Sequence, residues 1–429
     1  MASGTRAQVD VITILIYLAL VAFGWVNIFS TTYDADSYTG LFDISRSYGK
    51  QFIFILVGLV LIALTLSVNT KSYERFSSII YVISLLSLVG LFVAGKTISG
   101  ATSWYAIGPF TLQPSEFAKV ATGLALAKYL SDINVNLNNF RQFMMALAII
   151  MIPALIIVPQ PDPGSALVFV AFLFPLYREG MWFGVFGIGI AAVVLFIAAI
   201  VAPVSIVIGI TAVLIFFVFW MLRRAAIKRR RKPIKWTNAI LTVVVVALFA
   251  SSVGYIFNNV FEDRHRNRFN IILGLAEDNQ GIGYNLRQSE IAIGSGGWLG
   301  RGWLEGTQTQ GDFVPEQYTD YIFSAVGEEW GFLGSAGVVI LFAFLIIRLV
   351  IMAERQRGQF ARVYIYSVAS VFFLHVTINM GMVIGLLPTV GIPLPFFSYG
   401  GSGLWGFTLL LFIAVKLDST RRNYTGTLV

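Results

Sequence analysis

Uncharged apolar runs recur along the whole of this chain, and they restrict it to very few folds. Only about 12% of its residues are charged, against roughly 25% in soluble domains. A helix of ~20 apolar residues crosses a bilayer because it bonds all of its own amides, which hydrocarbon cannot do. Spans are predicted near Val11–Phe29, Phe52–Val68, Ser78–Ala94, Ser115–Leu130, Phe143–Val158 and Gly164–Tyr177. Others are predicted near Trp182–Val201, Ser205–Leu222, Trp236–Phe257, Ile322–Ile351, Val363–Leu386 and Gly401–Val415, twelve in all. The expected fold is an all-α polytopic integral membrane protein. The first run has no small-residue cleavage site after it and is read as a retained span.

Lysine and arginine orient the bundle. The run Arg223–Lys235 is the strongest cytoplasmic marker and reads as a contact for anionic lipid rather than a partner site. Arg348, Arg355, Arg357 and Arg362 mark a second inner loop, and Lys416, Arg421 and Arg422 an inner C-terminus. Parity then puts the N-terminus inside. The net charge of +8 therefore reflects topology rather than a nucleic-acid partner. The same count puts Thr31–Gln51, Gly95–Gln113, Pro159–Pro163, Asn258–Tyr321 and Pro388–Gly400 outside. The irregular segments thus gather on one face, where chemistry is expected. With no cysteine, thiolate chemistry is excluded.

Two motifs mislead. Gly90-Leu-Phe-Val-Ala-Gly95-Lys96-Thr97 fits the P-loop pattern, but its first glycine lies in a span and no strand precedes it. The run Gly294–Gly300 lacks the βαβ setting of a dinucleotide loop. No nucleotide, haem or flavin is expected. Neither histidine has the spacing of a zinc site, and His375 reads as a bonded core residue.

Other residues carry more. Glu116 and Lys119 stand three apart on one face of a span, with Ser115 as its N-cap. Such a pair either lines a wet cavity or holds two helices together. Asp162 reads as the cap of the next helix. Arg264, His265, Arg266 and Arg268 lie just outside a span, facing either a pyrophosphate or lipid headgroups. The outer loop of about sixty residues is too long to be a mere connection. It ends at Asp320, where it re-enters the membrane. A carboxylate there is partly desolvated and so is a stronger base, or else it is a first-turn acid of the next helix. Glu328 and Glu329 lie two turns deeper, and Asp312 and Glu316 face solvent. Glycines 294, 296, 297 and 300 would let backbone amides approach a substrate.

Taken in order, these segments resemble the SEDS proteins (shape, elongation, division and sporulation), and among them the RodA rod-shape-determining type. The resemblance rests on Gly100-Ala101 with Trp104, Gln113-Pro-Ser-Glu116 with Lys119, Gln160-Pro-Asp162, and Gln288-Ser289 through Gly302-Trp303. It continues through Gly306-Thr-Gln308, Pro315-Glu316 with Thr319-Asp320, Glu328-Glu329, and Leu387-Pro-Thr-Val-Gly391 through Ser398 to Ser402.

It implies a peptidoglycan glycosyltransferase of the bacterial cytoplasmic membrane, with both termini inside. Such enzymes polymerise lipid II with a class B penicillin-binding protein as partner. The family's catalytic aspartate carries over to Asp320 and its cavity pair to Glu116 and Lys119. The other substrate-facing candidates are Gln113, Ser289, Gln308, Glu316 and Ser398, with Arg264 and Arg266. The family core has ten spans, so 202–254 reads as an inserted hairpin within one membrane domain, 1–429, with 258–321 as the catalytic loop. Members often carry a basic residue before Trp104, where this chain has Ser103.

The resemblance implies a donor sugar α-linked to a polyprenyl pyrophosphate and a β-1,4-linked product, so the anomeric centre is expected to invert once. One general base suffices, because pyrophosphate leaves as a stabilised anion. Its charge needs a divalent cation (Mg or Mn) or arginines such as Arg264, Arg266 or Arg268. The competing readings are a lipid II flippase gated by Glu116–Lys119 and a non-catalytic scaffold.

Overall fold

The computed structural model describes residues 9–34, 38, 40–98, 100–108, 110–133, 135–230, 232, 233, 235–259, 266, 270, 275 and 282–421. Its contacts divide the chain into two units, Met1–Met181 with Tyr284–Val429, and Trp182–Gly283. The expectation was one domain with an insertion at 202–254. Instead the second unit starts twenty residues earlier and, among the described residues, holds the helices α8 (Gly184–Val201), α9 (Val204–Lys228) and α10 (Trp236–Asn259). Ala199 of α8 packs with Ala250 and Val253 of α10, flanked by Val204 and Ile208 of α9. The helix before Pro203 therefore belongs with the pair after it.

The first unit opens with α1 (Val11–Thr32), α2 (Ser47–Ser67) and α3 (Thr70–Ala94). A small antiparallel sheet follows, β1 (Lys96–Ile98), β2 (Ala101–Ile107) and β3 (Phe110–Leu112). Then come α4 (Pro114–Leu130), α5 (Phe140–Ile157), α6 (Pro163–Val168) and α7 (Leu173–Arg178). After the second unit the chain continues through α11 (Ile282–Ser295), α12 (Thr307–Gln310), α13 (Ile322–Glu354), α14 (Gln359–Val383) and α15 (Gly401–Ser419). Among the described residues, ten helices are long and apolar enough to cross a membrane. The protein is a multi-pass membrane protein.

Two predicted spans are not among the ten. Helix α4 has 17 residues. The segment Pro163–Arg178 is broken by a 3-10 turn at Phe169–Phe172. Pro175 explains the break, because it has no N–H to give and its ring crowds the carbonyl four residues back. The sheet was not foreseen either, since its strands are short. It explains the false P-loop. Gly90 faces the Tyr105 hydroxyl, and a Cβ there would lie 2.4 Å from that oxygen. Tyr105 donates to the Ser87 carbonyl at 2.8 Å. Ser103, buried in β2, faces the Gln160 carbonyl at 3.5 Å.

The two ends of the first unit differ chemically. At one end, Asp10 caps α1 through the Thr13 N–H and pairs with Arg348 at 2.8 Å and Arg355 at 3.1 Å. Arg355 also pairs with Asp418. Burial alone would raise the Asp10 carboxyl, but the Thr13 amide and the two guanidiniums outweigh it and hold it below the usual carboxylate range. A depressed folded value contributes stability that is full above about pH 4 and fades as pH falls through that value. Melting temperatures of wild type and Asp10→Asn should therefore differ at neutral pH and converge in acid. A gap that persists in acid would contradict this linkage.

Candidate active site

The opposite end of the first unit gathers the irregular segments. The Thr102 N–H donates to the Gln160 carbonyl at 3.1 Å, and Gln310 Nε2 to the Ser30 carbonyl at 3.1 Å. The Tyr399 N–H donates to the Tyr318 carbonyl at 2.9 Å.

Asp320 sits at this end, half-buried, just before α13. A tight turn delivers it: the Glu316 carbonyl accepts the Thr319 N–H at 3.2 Å and its hydroxyl at 3.0 Å. Glu316 is exposed at φ +57°, which makes it a turn residue. The Asp320 main-chain carbonyl accepts from Asn379 Nδ2 at 2.8 Å. Its carboxylate faces Gly391 (φ +71°), where a Cβ would stand 3.3 Å from Oδ2. The rings of Tyr318 and Tyr399 meet edge to face at 5.4 Å, and burial pushes both phenols up. Beside this loop a cavity of about 620 Å³ is lined by Thr31, Asp34, Arg46, Gln310, Asp312 and Tyr318, among others, but not by Asp320.

Glu116 and Lys119 form a buried ion pair on α4 at 2.8 Å. Lys119 Nζ also lies 2.9 Å from His375 Nε2 and 4.6 Å from the centroid of the Phe407 ring. His375 Nδ1 faces the Pro393 carbonyl at 3.2 Å. A carbonyl only accepts, so we assign the ring proton to Nδ1, which leaves Nε2 to accept from the ammonium. The histidine is thus bonded, as its sequence setting suggests, but its partner is the ion pair itself.

The other candidates separate into roles. Gln113, not Ser115, takes the cap position of α4, because Pro114 occupies the first helical position. Gln113 Nε2 reaches Asp162 at 3.0 Å, and Asp162 caps α6 through the Ser165 N–H at 3.0 Å. Ser289 is fully buried and donates to the Val383 carbonyl at 2.9 Å, tying α11 to α14. Ser398 accepts the Leu394 N–H at 2.8 Å and closes a turn. Arg264 and Arg268 lie outside the described residues, and Arg266 belongs to the other unit. Among the described residues no three or more His, Asp or Glu converge as a metal centre.

Glu328 and Glu329 clamp the loop. The Glu328 carboxylate accepts the N–H groups of Gln308 and Thr309, both at 2.8 Å, at the start of α12. Glu329 accepts from Ser30 and from the Leu304 N–H. Gln308 is held by its backbone, and its side-chain Oε1 is buried without a partner. Two of the loop glycines serve this clamp rather than a substrate. A Cβ on Gly296 would lie 2.0 Å from the Gly327 carbonyl, and one on Gly300 would lie 2.0 Å from that of Glu329. Gly300→Ala also meets a positive φ, so it should cost about 1–3 kcal/mol. Gly294→Ala, where a Cβ meets nothing within 4 Å, should not destabilise. Equal melting temperatures for the two variants would contradict the clamp.

Sequence reasoning missed Asn379. Its signal was present: His375 and Asn379 are polar residues four apart in an apolar helix, so they share a face.

Comparison with known proteins agrees with this architecture. The FtsW/RodA/SpoVE family model, described as cell cycle protein, matches residues 10–208 and 208–423. The peptidoglycan glycosyltransferase MrdB of Escherichia coli K12 is 31% identical over 93% of this chain and 90% of its own length. The peptidoglycan glycosyltransferase RodA of Treponema pallidum is 32% identical over 92% of this chain and 94% of its own. Among solved structures, a chain from a peptidoglycan synthase complex that coordinates polymerization and crosslinking superposes with a TM-score of 0.69 at 22% identity, covering 98% of this chain and 99% of that one. The rod shape determining protein RodA of Thermus thermophilus gives 0.60 at 21% identity, covering 96% and 98%.

Proposed function

The chain belongs to the FtsW/RodA/SpoVE family of cell cycle proteins, and on that premise we propose that it is a peptidoglycan glycosyltransferase. It polymerises lipid II into glycan strands at the outer face of the bacterial cytoplasmic membrane during elongation. A class B penicillin-binding protein is its partner and cross-links the strands. Arg348, Arg355, Arg362, Lys416 and Arg421 all lie at or near the Asp10 end of the first unit, which supports reading that end as cytoplasmic and the Asp320 end as external.

In the reaction, Asp320 accepts the proton of the acceptor hydroxyl as that oxygen attacks the anomeric carbon. The new C–O bond forms on the face opposite the pyrophosphate, and the bond to pyrophosphate breaks with its electrons leaving on the phosphate oxygen. One carboxylate is enough, whereas an inverting hydrolase needs two. Charge on the leaving group would be countered by a divalent cation, Mg or Mn, arriving with the pyrophosphate, or by arginine side chains. The observation that supports Asp320 is its setting: a half-buried carboxylate at the loop end, its backbone carbonyl bonded to Asn379 at 2.8 Å.

The test is conversion of lipid II by the purified protein and its transpeptidase partner in detergent. Detergent has no compartments, so a flippase scores nothing there. Glycan strands from wild type support the polymerase; intact lipid II throughout would overturn it.

A further inference from the structure

We propose that Asn379 is a positioning residue for Asp320, joining the loop that ends at Asp320 to the 387–400 segment opposite it. The proposal rests on Asp320 being the general base.

Asn379 lies on α14 and is fully buried. Its amide nitrogen donates to two carbonyls, that of Asp320 at 2.8 Å and that of Ile392 at 2.8 Å. One side chain thus fastens the two segments that meet at the candidate base. Holding the Asp320 carbonyl fixes the peptide plane that leaves its Cα, and with it the direction in which the carboxylate projects. Across the gap, Ile392 follows Gly391, the residue that faces Asp320 Oδ2.

The 387–400 segment is pinned at neighbouring positions as well. His375, one turn before Asn379 on the same helix, bonds the Pro393 carbonyl at 3.2 Å. The Val390 carbonyl lies against Gly164 of α6, where a Cβ would approach it to 2.3 Å. Through His375 the same segment is tied to Lys119 and Glu116. Asn379 is therefore a direct link between Asp320 and a segment that is also immobilised by buried contacts. It holds this place although its Oδ1 is buried with no partner in the protein. Packing alone does not reward a half-satisfied amide in an apolar helix.

A reacting group displaced by about 1 Å costs roughly 100-fold in rate, while binding made elsewhere on the substrate is kept. Asn379→Ala should therefore lower kcat about 10- to 100-fold and leave KM within about three-fold. Asn379→Ser keeps one donor and should fall between the two; it also serves if the alanine variant does not fold. A purely structural role would reduce the amount of folded protein and not the kcat of what is folded.

The experiment measures kcat and KM for lipid II per folded molecule in the complex with the transpeptidase. The variants are Asn379→Ala, Asn379→Ser, Asp320→Ala and Ser367→Ala. Ser367 is the control, a buried hydroxyl on α14 bonded within its helix to the Val363 carbonyl. A kcat loss at Asn379 with KM and Ser367→Ala unchanged is the expected result. Wild-type kcat in folded Asn379→Ala, with Asp320→Ala inactive, overturns the positioning role alone. Full activity in Asp320→Ala would overturn the assignment of the base and this proposal with it.

Discussion

Replacing Asp320 with alanine is expected to slow glycan polymerisation by about 100- to 10,000-fold, the usual worth of a positioned general base. Lipid II should still bind, because one carboxylate contributes little to holding a disaccharide-peptide on a polyprenyl tail. The loss should therefore fall on kcat rather than KM. Asp320→Asn keeps the shape and removes the base, so it should be about as inactive as alanine. Both variants keep the main-chain carbonyl that Asn379 holds. A fully active Asp320→Asn protein would move the base elsewhere. Glu328 is a poor second choice, because its carboxylate is taken up by Gln308 and Thr309.

The second large effect is expected at Lys119. Lys119→Ala leaves Glu116 as a buried carboxylate without its ammonium, which typically costs about 3–5 kcal/mol. The pair is more than a staple within one helix, since Lys119 also reaches His375 on α14. Replacing both partners, as Glu116→Gln with Lys119→Met, removes the buried charges together and should recover most of the stability. What the double variant does to activity separates the two sequence readings of this pair. Stability without polymerisation makes the pair part of the site. Stability with full polymerisation makes it a structural strut. A Lys119→Ala protein that melts with wild type would contradict the burial argument for either role.

The sequence carried most of the helices because each span is a local signal. An apolar run of about 20 residues needs a helix whatever it packs against. It also marked Asp320 and the Glu116–Lys119 pair, since carboxylates and amines are conspicuous among apolar residues. It did not reveal what those groups touch. Lys119 and His375 are 256 residues apart in the chain, and no local pattern connects them. Gly296 and Gly300 were misjudged for a similar reason. A glycine signals close approach, but whether to a substrate or to the backbone of α13 depends on the tertiary fold. The sheet at Lys96–Leu112 was missed because strands of 3 and 7 residues give too little alternation to read. Ser115 was misplaced as a cap because serine is the stronger general cap, while Pro114 fixes the boundary one residue earlier.

The most direct measurement pairs two quantities for wild type and Asp320→Ala in complex with the transpeptidase partner: lipid II bound, and glycan strand formed. Equal binding, with strands from wild type and none from the variant, is the expected result. Strands of equal length and yield from both proteins would contradict an Asp320-centred polymerase.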